Sequence, residues 1–187
     1  MQIESLSLTE IKIITPKQFR DSRGHLSETY NKLTLANNGI NLDFVQDNHS
    51  SSKQTGVLRG LHFQIPPFAQ DKLVRVIKGK IFDVAVDIRQ CSPTYGRWVG
   101  VEISAIAQNQ ILVPIGFAHG FITMEPETEV IYKVTSSYSP EHEKGIAWND
   151  PAIGIKWPLN GLKLIMSDKD TKHPLLADLP SYFQFDC

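Results

Sequence analysis

The stretch KLVRVIKGKIFDVAVDIR, residues 72–89, decides the fold. Two β-branched runs flank Gly79. In the second, Phe82, Val84, Val86 and Ile88 share one face, and Ile81, Asp83, Ala85, Asp87 and Arg89 share the other. That is period-2 alternation, the mark of a half-buried strand. The texture continues outward. From about residue 43 the pattern is mostly strand-like, and WVGVEIS (98–104), NQILVPI (109–115), HGFITM (119–124) and EVIYKVT (129–135) read as further strands. Many short strands separated by turn residues indicate an all-β sandwich or barrel. The segment KLIMSDKDTKHPLLADLP (163–180) suits a short strand and a helical turn or two.

The 187 residues suffice for one domain, 1–187, with a sizeable core, and 41% of them are hydrophobic. No apolar run approaches the ~20 residues of a transmembrane helix. The first residues, MQIESLSLTEIKII, carry Glu4 and Glu10 and lack a basic region followed by a long apolar block, so no signal peptide is expected. Cys91 and Cys187, the two cysteines, are far apart and lack metal spacing. That usage suits reduced thiols in a cytosol. A net charge of −1 excludes an overall basic surface for nucleic acid, while leaving room for a local anion pocket.

RGLHFQ (59–64) places a guanidinium and an imidazole in an otherwise apolar strand. Polar groups are costly to bury without partners. His62 alone reads as a satisfied core histidine. Lys72, His119 and Tyr132, however, also sit on or at the end of apolar strand segments, and the coincidence favours a polar pocket inside a barrel. Tyr132 shares a face with Val130 and Val134, which turns it inward with a hydroxyl in need of a partner. Strict alternation would put Arg59 and His62 on opposite faces. Gly60 between them is a candidate bulge that would turn both toward one cavity; a regular strand with Arg59 solvated is the alternative.

Histidines on two strands of a small β-barrel resemble the cupins, whose motifs run G-x5-H-x-H-x3,4-E-x6-G and P-x-G-x2-H. GVLRGLHFQ supplies Gly56 and His62, and PIGFAHG (114–120) supplies Pro114, Gly116 and His119. The second histidine position is Gln64, and Lys72 stands where a ligand carboxylate would be useful. Divalent sites normally take at least three protein ligands. Two histidines beside an ammonium therefore point to no metal and to acid–base chemistry in its place.

FRDSRGHLSETYN (19–31), VLRGLHFQIPPFAQDKLVRVIKGKIFDVAVDIRQCSPTYGRW (57–98), VPIGFAHGF (113–121), YKVTSSYSPEHEKGIAWNDPAIGIKWP (132–158) and SDKD (167–170) resemble the dTDP-4-dehydrorhamnose 3,5-epimerase family over nearly the whole chain. Phe63 and Asp71 depart from the Tyr and Gly expected there, and the tail after residue 171 is the least similar. The resemblance implies a cupin-type jelly roll with a few short helices. It also implies a homodimer paired through the sheet, with the N-terminal segment crossing to the neighbour. The implied activity is cofactor- and metal-free epimerisation at C3 and C5 of a dTDP-linked 4-keto-6-deoxyglucose. It assigns His62 as base, Lys72 as enolate stabiliser, Tyr132 as the acid on the opposite face and Asp170 as the carboxylate orienting His62. A histidine's unperturbed pKa, near ~6.5, suits reversible proton abstraction. For the nucleotide diphosphate, Arg23 and Arg59 offer guanidinium forks. His119 contacts sugar or phosphate, Gln46, Asn48 and Glu28 match binding positions, and Phe19 and Tyr138 sandwich the thymine. Asp83 is a pocket carboxylate or a partner to a barrel arginine. For Glu28, Gln46 and Asn48 a solvated-surface role is the alternative, and for Asp170 a helix cap or surface turn.

Two other functions fit less of the sequence. A single-site epimerase of another deoxysugar pathway shares the fold, but losing the tyrosine would have favoured it, and Tyr132 is present. A non-catalytic nucleotide-sugar-binding cupin would need neither acid nor base.

Overall fold

The computed structural model describes residues 1–159 and 161–185, so Cys187 lies outside the described residues. Thirteen strands are described: β1 (Gln2–Ser5), β2 (Lys12–Thr15), β3 (Gln18–Asp21), β4 (Gly24–Ser27), β5 (Gln46–Ser52), β6 (Leu58–Gln64), β7 (Lys72–Lys78), β8 (Lys80–Asp87), β9 (Trp98–Ser104), β10 (Gln110–Val113), β11 (Phe117–Thr123), β12 (Thr128–Val134) and β13 (Glu143–Gly145). Helix is confined to α1 (Lys32–Ala36) and two 3₁₀ turns, Asp170–Lys172 and Leu176–Asp178. Asn31 caps α1 by accepting the Thr34 N–H at 3.0 Å.

The strands form a six-stranded sheet, β1-β2-β10-β7-β12-β5, and a five-stranded sheet, β13-β6-β11-β8-β9, with β3–β4 as a separate hairpin. The sheets pack face to face as a jelly-roll sandwich. Among the described residues no ladder joins them into a closed barrel. Val74, Val76, Ile111 and Val130 of the first meet Ile81, Ala85, Ile103 and Phe121 of the second in one buried cluster. Gly79 breaks the 72–89 stretch where the sequence reading put it. The chain there does not turn back as a hairpin: β7 belongs to one sheet and β8 to the other.

The half-buried reading of β8 is corrected, because both faces are buried. Ile81 and Ala85 point between the sheets, while Val84, Val86 and Ile88 pack under Ile146, Ile153, Leu176 and Phe183 from the C-terminal segment. Asp83 and Asp87 are fully buried and hydrogen-bonded. Arg89 Nε and Nη2, with the hydroxyls of Ser92 and Thr94, hold the Asp87 carboxylate. The two carboxylates create the polar alternation in the sequence without facing water. The outer face of the six-stranded sheet is covered in part by Leu35 and Ile40, from α1 and the loop after it, against Ile14, Leu73 and Leu112.

Candidate active site

Gly60 shapes the site first. Between β11 and β6 the register runs His119↔His62 and then Phe121↔Arg59, so three steps on β6 span two on β11. This is a bulge, and it turns both Arg59 and His62 to one cavity. Gly60 has φ +134°, and a Cβ there would lie 2.6 Å from the Gly120 Cα. Only glycine suits that position.

The cavity has a volume of about 620 Å³ and lies between the sheets. Arg59, His62 and His119 line it from the five-stranded sheet, and Asn48, Lys72 and Tyr132 from the six-stranded sheet. Tyr138, Glu143, Lys169 and Asp170 complete the wall. Gln46 lines a smaller annex shared with His62, Lys72 and Tyr132. Phe19, Arg23 and Glu28 are exposed and are not among the lining residues of either space. Phe19 and Arg23 belong to the β3–β4 hairpin, where Arg23 pairs with Asp21. Phe19 and Tyr138 are thus not brought together within one chain.

His62 Nε2 lies 2.6 Å from Asp170 Oδ1. The carboxylate accepts the Nε2 proton, which leaves Nδ1 as the ring nitrogen able to take another. Burial pushes the His62 imidazole below its ordinary pKa; Asp170 opposes this and the Lys72 charge reinforces it. Burial would raise the Asp170 carboxyl, but His173, His62 and the Gly60 N–H outweigh it and hold it well below the usual carboxylate range. Asp170 is therefore a charged partner at neutral pH, and His62 a neutral base.

Lys72 begins β7, and its Nζ donates to the His62 carbonyl at 3.3 Å. Burial pushes its ammonium down to about 8, with Glu143 and Asp83 opposing. It remains mostly charged at neutral pH, a cation at the cavity wall. Tyr132 packs against the central cluster, and no side-chain hydrogen bond holds its hydroxyl among the described residues. The partner expected for that hydroxyl is thus not found among the described residues. Burial raises the phenol above its ordinary pKa, with Arg59 opposing and Glu143 adding, so it stays protonated. His119 Nε2 sits 2.9 Å from each Asp83 oxygen, so the partner of this pocket carboxylate is a histidine and not an arginine.

Gln64 shows why the cupin-like metal position is lost. Its Nε2 donates to the Phe68 carbonyl at 2.7 Å and the Ser137 carbonyl at 3.1 Å, and its Oε1 accepts the Ser139 N–H at 2.7 Å. The amide pins the loop carrying Tyr138 and has no atom to spare for a cation. That leaves His62 and His119 at those motif positions, two histidines beside the Lys72 ammonium and fewer than the three protein ligands a divalent site takes, so the residues do not fit a metal. Another group that could present ligands is His62, Asp170 and His173, whose donor atoms lie within 4.8 Å of one another. Its His62–Asp170 separation is that of a hydrogen bond.

Glu143 and Lys169 escaped the sequence reading. Glu143 accepts from Tyr138 Oη at 2.7 Å and pairs with Lys169 at the cavity wall. The hydrogen bonds from Lys169 and Tyr138 outweigh burial and hold its carboxyl below the ordinary value. Both residues lie inside stretches that carry the resemblance, but on a three-residue strand and an irregular segment, where no periodicity marks them as inward.

Fold and cavity define a cupin-type jelly roll whose metal position has been replaced by hydrogen-bonded side chains, with acid–base groups on facing walls. Within that class the chain belongs to the dTDP-4-dehydrorhamnose 3,5-epimerase family, whose family model matches residues 5–178. The dTDP-4-dehydrorhamnose 3,5-epimerase of Sinorhizobium fredii is 50% identical over 185 residues, covering 99% of this chain and 94% of that one. That of Salmonella typhimurium is 50% identical over 177 residues, covering 94% and 96%. The crystal structure of dTDP-6-deoxy-D-glucose-3,5-epimerase from Legionella pneumophila, in complex with dTDP-4-keto-L-rhamnose, superposes with a TM-score of 0.95 at 42% identity, covering 100% of this chain and 99% of that one.

Proposed function

We propose that the cavity converts dTDP-4-dehydro-6-deoxy-D-glucose to dTDP-4-dehydro-L-rhamnose by inverting C3 and C5. The observation that carries this reading is that His62 and Tyr132 line one cavity from opposite sheets. Both carbons are α to the C4 ketone, so each C–H is acidic if the enolate is stabilised. His62 removes the proton through Nδ1, and Asp170 stabilises the imidazolium that forms. Lys72 sets positive charge where the enolate oxygen develops. Tyr132 returns a proton to the other face, which inverts the centre. No step passes through a metal or cofactor. The ligand named for the Legionella relative is the product this scheme gives.

The nucleotide is held by Arg59, His119, Asn48 and Gln46, with Tyr138 stacking on the thymine. Phe19, Arg23 and Glu28 serve through a homodimer, in which the hairpin region of one protomer reaches the cavity of the other. Phe19 and Leu26, cross-strand partners with 54% and 73% of their surface exposed, give that hairpin an apolar face for a neighbour. The chain works as one domain and as a cytosolic enzyme, a reading supported by two cysteines far apart in the sequence; among the described residues no helix is long and apolar enough to cross a membrane.

The test is proton NMR of dTDP-4-keto-6-deoxyglucose with the enzyme in D2O. Loss of the C3 and C5 proton signals with appearance of the L-rhamno product is expected. Exchange at C3 alone would make this a single-site epimerase, and no exchange would remove the assignment.

A further inference from the structure

His173 stands beside the acid–base set without belonging to it. It comes three residues after Asp170, a spacing that eclipses side chains on a 3₁₀ turn. Its Nε2 lies 3.6 Å from Asp170 Oδ1, the oxygen that accepts from His62. Its ring meets the His62 ring nearly edge-on, with centroids 5.4 Å apart and planes at 79°. The side chain is only 10% exposed, and among the described residues Nε2 has no hydrogen-bond partner. A buried ring nitrogen without a partner is costly, and this one faces a carboxylate just beyond bonding distance.

The space for it is made by Gly145, which is His62's pair across the β13–β6 ladder. A Cβ at 145 would lie 2.5 Å from His173 Cε1 and Nε2. Any larger residue would push the second imidazole away from the first.

We propose that His173 is a positioning residue for the His62–Asp170 pair. Its Nε2–H closes on Asp170 Oδ1 and holds the carboxylate against the His62 ring through the proton-transfer cycle. A carboxylate's terminal torsion is broad, and a short 3₁₀ turn gives it little support. An N–H donor on its second side fixes that torsion. When His62 takes the substrate proton, its bond to Asp170 becomes charge-assisted, and a carboxylate that had swung away could not supply it. The proposal rests on the assignment of His62 as base, so its test carries one reading that needs no turnover.

The experiment compares His173→Leu, which fills the space without an N–H, with His173→Gln, which keeps an N–H at similar reach. Thermal melts and circular dichroism identify the folded variants. His173→Leu is expected to lose about tenfold in kcat with KM within about twofold, because misplacement near the reacting groups costs rate rather than binding. His173→Gln is expected to recover to within about threefold of wild type, since it restores the donor. Imidazole ¹⁵N–¹H correlation spectra are expected to show His62 as the Nε2–H tautomer in wild type and His173→Gln. In His173→Leu that signal should be exchange-broadened. Wild-type kcat in His173→Leu, equal impairment in both variants, or an unchanged His62 signal in His173→Leu would each overturn the proposal. If wild type turns over no nucleotide sugar, the reaction assignment fails, and the spectra still decide the role of His173.

Discussion

His62 and His119 are register partners on adjacent strands, and each holds an aspartate. His119 is gripped by both Asp83 oxygens at 2.9 Å, with side-chain exposures of 8% and 0%. Asp83 comes from β8, the strand next to β11, so the sheet itself builds the pair. His62 binds one oxygen of Asp170 at 2.6 Å and remains 25% exposed to the cavity. Its aspartate arrives from a 3₁₀ turn 108 positions along the chain. The first pair is a fixed wall element. Both rings bond through Nε2 alone; the second pair stands apart because its histidine opens further to the cavity and its carboxylate sits on a separate segment. Similar side chains thus take different work from the elements that carry them.

The largest expected effect separates the two histidines. His62→Ala should abolish solvent exchange at both C3 and C5, measured by NMR in D2O. His119→Ala should mainly raise KM while exchange continues. Equal loss of exchange in both would erase the distinction between base and wall.

The aspartates come next. Asp170→Asn should lower kcat by about 10²–10⁴-fold, because an amide favours the wrong imidazole tautomer, as in related His–Asp arrangements. Asp83→Asn should act first on stability, costing about 1–3 kcal/mol by leaving a buried group imperfectly paired, read from chemical denaturation. A catalytic collapse in folded Asp83→Asn would show that the His119–Asp83 pair is not merely fixed.

The pH dependence of kcat/KM, which reports the free enzyme, should show the smallest effect. Burial lowers the His62 pKa, so the neutral base persists below the ordinary histidine value and the acid limb falls there. Lys72 loses its proton near pH 8, so the rate should decline above that point. A rate that stays flat through and well above pH 8 would remove the Lys72 proton from the rate.

Much of this was legible in the sequence where periodicity or turn chemistry carried it. WVGVEIS is β9 to the residue, and the Gly79 break separates β7 from β8. Gly60 between Arg59 and His62 announced the bulge. Period-2 alternation says nothing of which sheet a strand joins, so the crossing at Gly79 stayed hidden. Nor can it tell a polar residue facing water from one buried with a partner, which is why β8 was read as half-buried. Strands β1–β4 have four residues each, too few for a pattern. Asp170 was reached only through the resemblance, since 108 residues separate it from His62. His173 carries no local signal: its place depends on the missing side chain of Gly145.

The central claim is that the proton leaves to one sheet and returns from the other. Tyr132→Phe in D2O tests it most directly, because only the hydroxyl is lost. The account predicts that deuterium still enters the sugar through His62, while inversion at C5 falls sharply relative to exchange. Undiminished C5 inversion in Tyr132→Phe would contradict it and take the tyrosine out of the mechanism.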